Sequence, residues 1–138
     1  MPKFSNAGLV IINQLHPDLQ TVLNDVIQDY DITMLASTIR TIQEQKAFFD
    51  SGASKTMDSL HLPRPFPEFG DDKLYVCAFD CTPYPVNFDN INEHFYMAGI
   101  IMAAVEKLFK AGKIAHKVRW GGRWTSLKDY VHFELILN

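Results

Sequence analysis

The segment that most constrains this chain is Lys128-Asp129-Tyr130-Val131-His132-Phe133-Glu134-Leu135-Ile136-Leu137. From Val131 to Leu137 it reads as a β-strand, because β-branched and aromatic residues fit a pleated, half-buried surface. One histidine stands in mid-strand, with Asp129 three residues ahead of it and Glu134 two residues after. An unpaired polar group buried in apolar surroundings costs about 1–3 kcal/mol. A fold that closes on this strand therefore has to bring His132 a hydrogen-bond partner or a metal.

Elsewhere the punctuation of the chain predicts alternating helices and strands. Leu15 opens a helix that runs to about Tyr30: Pro17 suits the first turn, and Leu19, Val22, Leu23, Val26 and Ile27 recur at helical spacing. Asp31 to Ser37 reads as a buried strand and Thr41 to Asp50 as a second helix ended by Ser51-Gly52, with Arg40 at the junction. Pro63, Pro65, Pro67 and Gly70 make Ala53 to Asp72 a long loop. Tyr75 to Cys81 returns to a strand, and Asn92 is expected to cap a long helix from about Glu93 to Lys110, with Gly112 just past its end. Lys117 to Trp120 and Val131 to Leu137 are two further strands around a Gly121-Gly122 turn and a polar connection. Without regular βαβ alternation, the expected class is α+β: a small antiparallel sheet packed with about three helices, one domain over 1–138.

Charge narrows the partners. A formal net charge of -3 gives no electrostatic footprint for nucleic acid. Lys107, Lys110, Lys113, Lys117, Arg119 and Arg123 cluster locally, and the first three sit where cations complement a helix dipole, so the cluster reads as a solvated face. The sequence holds no run of 18 apolar residues and no charged start followed by a long apolar core, so neither membrane insertion nor a signal peptide is expected, and synthesis in the cytosol is. Cys77 and Cys81 lie four apart in an expected strand, about 13 Å, too far for a disulfide; they are expected as buried free thiols.

Hydrolytic zinc sites combine three N or O ligands with one position open to water. The candidates are His61 before the proline-rich loop, Asp80 in the strand after it, and His132. Each has a second reading. His61 is also an ordinary exposed loop residue, Asp80 a cap of the Thr82-Pro83 turn, and His132 a core histidine bonded to a carbonyl.

Taken together, the motifs resemble the phage L-alanyl-D-glutamate peptidases, endolysins of the zinc peptidase superfamily that also contains the D-Ala-D-Ala carboxypeptidases. LHPDLQTVL is similar to that family's first helix and STIRTIQEQ to its arginine-bearing segment. SGASKTMDSLH is similar to the approach to the first zinc histidine, AFDCTPY to the aspartate segment, and RWGGRW followed by DYVHFEL to the terminal motif. The resemblance implies a hedgehog/D-Ala-D-Ala peptidase-like fold with His61, Asp80 and His132 holding Zn²⁺ and Asp129 as catalytic base. It also implies Arg40 as a catalytic-site arginine for a substrate carboxylate or the oxyanion, and Ser59 as a substrate contact; Trp124 reads either as a substrate contact lining the cleft or as a core side chain. Ser54 and Trp120 are further candidates near the cleft, and Glu134 a residue that orients His132. The chain departs from the family in the spacing from His61 to Asp80, 80 − 61 = 19, which leaves a proline- and aromatic-rich insertion at about 62–73. His16 begins a helix, His94 lies in another and His116 precedes the basic strand, so none replaces a ligand.

The implied activity is cleavage of the L-alanyl-D-glutamate bond of the peptidoglycan peptide stem by a monomer. The enzyme would be made in a host cytoplasm and act on the cell wall after release. A D-Ala-D-Ala carboxypeptidase or dipeptidase, and a non-catalytic metal-containing wall-binding protein, are the alternatives.

Overall fold

The computed structural model describes residues 2–54, 59–125 and 128–137. Two stretches singled out in the sequence run partly outside these: the SGASKTMDSLH segment through 55–58, and the polar connection before the last strand through 126–127.

Four α-helices and two small antiparallel sheets make up the described chain. Helix α1, Asn6–Ile12, is one the sequence reading missed. It is seven residues long, capped by Ser5 Oγ accepting from Gly8 N–H, and it leaves Leu9 and Val10 exposed, so it shows no apolar stripe. Helix α2, Pro17–Val26, starts where Pro17 predicts and buries Leu19, Val22, Leu23 and Val26. Strand β1 is shorter than expected, Ile32–Met34, because the chain breaks into a 3-10 turn at Ala36–Thr38. Helix α3, Ile42–Asp50, is held by a capping box between Thr41 and Glu44.

The proline-rich insertion is a small hairpin, β2 (Arg64–Pro65) with β3 (Leu74–Tyr75), around a 3-10 turn at Pro67–Phe69. Strand β4, Ala78–Pro83, is buried along its whole length. Its start lies after Cys77 and its end includes Thr82-Pro83, two residues beyond the expected limit. Both cysteines are buried and free, as expected. Helix α4, Ile91–Lys110, begins earlier than expected, because Asn90 rather than Asn92 caps it by accepting from Glu93 N–H. Gly112 beyond its end takes the left-handed φ of 73° that the helix stop requires. Strand β5, Val118–Trp120, a 3-10 turn at Gly121–Arg123, and β6, His132–Leu135, complete the chain.

The main sheet has the order β1-β4-β6-β5, antiparallel throughout. Phe79 and Phe133 are register partners with rings 5.1 Å apart, fully buried in the core that α2 and α4 also line. Alternation along the strands sends their neighbours, Asp80 and His132, to the opposite side. No helix among the described residues is long and apolar enough to cross a membrane.

Candidate metal centre

Strand register makes the site. Asp80 on β4 stands directly opposite His132 on β6. His61, in the turn before β2, reaches the same point: its Nε2 lies 3.0 Å from His132 Nδ1 and 3.3 Å from Asp80 Oδ1. His132 Nδ1 lies 3.2 Å from Asp80 Oδ1. All three residues are buried.

Their outer atoms are already committed. His61 Nδ1 is 3.0 Å from the carbonyl oxygen of Thr38, which can only accept, so Nδ1 carries the hydrogen and Nε2 presents a lone pair inward. His132 Nε2 lies 2.8 Å from Glu134 Oε1 and donates to it by the same logic, leaving Nδ1 facing in. Asp80 Oδ2 accepts from Ser37 Oγ at 2.7 Å and from Arg40 Nη2 at 3.5 Å, which leaves Oδ1. Three acceptor atoms thus converge, and such a cluster is repulsive unless a proton or a cation sits among them. Burial pulls the His132 imidazole down, but hydrogen bonds to Asp80 and Glu134 outweigh it and raise its pKa to about 9. Burial pushes the Asp80 carboxyl up, yet hydrogen bonds from His132 and His61 hold it far below the usual carboxylate range. A proton on His132 and a divalent cation are therefore alternative occupants of one space.

The donor set fits zinc. Bonds of 2.0–2.1 Å in tetrahedral geometry separate ligand atoms by about 3.3 Å, and the separations here are 3.0, 3.2 and 3.3 Å. Two imidazoles and one carboxylate are the ligand chemistry of hydrolytic sites, with the fourth corner left open.

Asp129 lies past the Gly121–Arg123 turn, three residues ahead of His132 at the start of β6. Its N–H donates to Gly121 O at 3.0 Å, and its carbonyl accepts from His132 N–H at 3.3 Å. Burial and the charge of Asp80 raise its carboxyl pKa, with His132 acting against them. Gly121 allows this approach: a Cβ there would fall 2.6 Å from Asp129 O and 3.1 Å from His132 Cβ. The ring of Trp124 is half-buried, 5.0 Å from that of His132.

Arg40 reaches the site from behind Asp80. Its Nε donates to Ser37 O and its Nη1 to Gln45 Oε1, both at 2.9 Å, and its guanidinium lies 4.4 Å from the Phe48 ring centre. Ser59 is buried, with its Oγ accepting from His61 N–H at 3.1 Å, so it shapes the turn that presents His61. Ser54 accepts from Gln45 Nε2 at 2.9 Å, one step behind Arg40. Trp120 is buried and donates Nε1–H to Tyr130 O, bracing the segment that carries Asp129.

Ser37, Thr38 and Gln45 are the site residues the sequence reading did not find. Thr38 Oγ1 accepts from Asp80 N–H at 2.9 Å and donates to Asp80 O at 3.1 Å, while its own carbonyl orients His61. Reading Asp31 to Ser37 as one strand hid the break that turns these hydroxyls toward Asp80. The Ser37-Thr38 pair beside an apolar run was the available signal.

A second group, His16, Asp18 and His116, also has candidate ligand atoms within 4.8 Å of one another. It is wired differently. His16 Nδ1 accepts from Asp18 N–H as the cap of α2, so the hydrogen of the neutral ring sits on Nε2 and no lone pair is offered there. Asp18 Oδ2 accepts from Ala115 N–H, His116 N–H and His116 Nδ1 at 2.9–3.0 Å. Phe66 and Phe69 of the insertion pack edge-on to His16, so the insertion is seated on this capping network.

Residues 74–135 match a family model described as D-alanyl-D-alanine carboxypeptidase. That segment includes Asp80, Asp129 and His132 and begins after His61. No curated protein sequence matches the chain. Among solved structures, the crystal structure of Serratia marcescens L-Ala D-Glu endopeptidase ChiX is similar over 98% of this chain and 91% of that one, with a TM-score of 0.74 and 22% sequence identity. The family-model match over residues 74–135 and the fold likeness to that endopeptidase point the same way as the motif resemblance, toward the D-Ala-D-Ala carboxypeptidase-like peptidases. The fold of this chain is a single small domain of helices on an antiparallel sheet.

Proposed function

We propose that this chain is a zinc-dependent peptidoglycan endopeptidase that cleaves the L-alanyl-D-glutamate bond of the peptide stem and serves a phage as its endolysin. The observation that carries the reading is the convergence of His61 Nε2, Asp80 Oδ1 and His132 Nδ1 with their outer atoms tied away. Zinc, when bound, supplies Lewis-acid polarisation of a carbonyl and of water. Asp129 takes the proton from the attacking water and passes it to the leaving amine, a role suited to a carboxyl raised by burial. Arg40 orients Asp80 through its Oδ2, and its charge adds to the positive field that favours a developing oxyanion. Trp124 lines the cleft above His132, and Ser59 contributes through the turn it holds. The protein is made in the host cytoplasm and acts on the wall after release, in keeping with the motif resemblance to phage enzymes.

A second reading, a D-Ala-D-Ala carboxypeptidase, is favoured by the description of the matching family model. Mass spectrometry of purified stem peptides separates the two, because the released fragments differ. The proposal expects a cut between L-Ala and D-Glu that stops on chelation and returns with zinc. Release of a terminal D-Ala alone would give the second reading, and hydrolysis indifferent to chelation would remove both.

A further inference from the structure

Of the basic residues clustered late in the sequence, Lys107 pairs with Asp25 at 2.9 Å, Lys117 with Glu106 at 3.8 Å and Arg119 with Glu134 at 4.0 Å. Arg123 has no ion pair among the described residues, and it is the exposed member of the Gly121–Arg123 turn that walls the metal centre. That turn is wedged in place. A Cβ on Gly121 would fall 2.6 Å from Asp129 O, and one on Gly122 would fall 2.2 Å from the Trp120 ring. The next residue, Trp124, comes back inward beside His132. Arg123 therefore stands at the rim, bracketed by the positions that contact Asp129 and His132.

Arg40, the other arginine at this centre, is poorly placed to meet a ligand carboxylate. Its side chain is 11% exposed, and Ser37, Gln45, Asp80 and the face of Phe48 surround its guanidinium. An exposed guanidinium with no partner offers the planar fork that matches a carboxylate.

We infer that Arg123 is a specificity residue, holding the free carboxylate of an acidic residue next to the scissile amide. The inference rests on the peptidase reading above and names a substrate feature that reading leaves open. In an L-Ala-D-Glu stem the acidic residue lies immediately beyond the bond that breaks, so its carboxylate falls at the rim while the amide sits over the metal centre.

The test compares two synthetic stem peptides, one with the free carboxylate and one with that group amidated, against wild type, Arg123→Gln and Arg123→Lys. Wild type should prefer the carboxylate peptide by roughly tenfold in kcat/KM. Arg123→Gln should bring that ratio to about one through KM, and Arg123→Lys should keep part of it. Salt should narrow the wild-type ratio, because the rim is exposed. If Arg123→Gln retains the wild-type ratio, or wild type cleaves both peptides equally well, the assignment is wrong while the peptidase reading stands. If wild type cleaves neither, the peptidase reading falls and takes this assignment with it.

Discussion

Among the described residues, two His/Asp clusters of similar composition are wired in opposite ways. At His61, Asp80 and His132, acceptors outside the cluster tie the outer nitrogens, so lone pairs face one another. At His16, Asp18 and His116, backbone and imidazole N–H groups satisfy the carboxylate from within, and His16 gives its lone pair to a helix start. Residue types alone make both clusters metal candidates. Which nitrogen the surrounding chain has already claimed makes one a candidate cation site and the other a structural cap.

The largest effect that sharpens this contrast comes from the ligands. His61→Ala should lower hydrolysis by at least about a thousandfold, whereas His116→Ala should leave kcat within about twofold and lower stability by about 1 kcal/mol. Stem-peptide assays and urea denaturation of the two variants check this, and equal losses of activity would erase the distinction. Next in size, Asp129→Ala should reduce kcat by about 10²–10⁴-fold while zinc content by elemental analysis stays at the wild-type level. Smaller again, Glu134→Ala frees His132 to take the wrong tautomer. Its zinc affinity should fall by about 10–100-fold in competition with a chromophoric chelator.

The smallest effect is on stability against pH. In chelated protein the His132 pKa is raised from 6.5 to about 9. A group raised on folding contributes fully below its unfolded value and loses that contribution as pH climbs through the folded one. Chelated protein should therefore lose Tm between about pH 6.5 and 9, and zinc-loaded protein should not share that loss, because the cation replaces the proton. Parallel Tm curves for the two forms across that window would contradict the account of a proton and a cation competing for one space.

Much of this was legible in the sequence because the candidate ligands are anomalies. A histidine and an aspartate in apolar strands need partners, and the β4 and β6 register supplies each to the other. Helices α2, α3 and α4 announced themselves through the apolar periodicity after Pro17, the Ser51-Gly52 stop and Gly112, while the Thr41–Glu44 capping box came to light only in the structure. Less visible were features that depend on contacts between remote segments. The turn at Ala36–Thr38 is a tertiary response to Asp80, whose backbone Thr38 holds on both sides. Helix α1 lacks an apolar stripe, and the insertion folds as a hairpin because Phe66 and Phe69 find His16. The roles of His16 and His116 were hidden for the same reason, since a side-chain lone pair given to a backbone N–H leaves no mark on composition.

The most direct measurement is the zinc content of chains dialysed to equilibrium, taken for wild type, Asp80→Asn and Asp18→Asn with folding checked by circular dichroism. The account predicts one zinc per chain in wild type, none in folded Asp80→Asn, and one in Asp18→Asn. Wild-type chains without zinc, or zinc kept by Asp80→Asn and lost by Asp18→Asn, would contradict it.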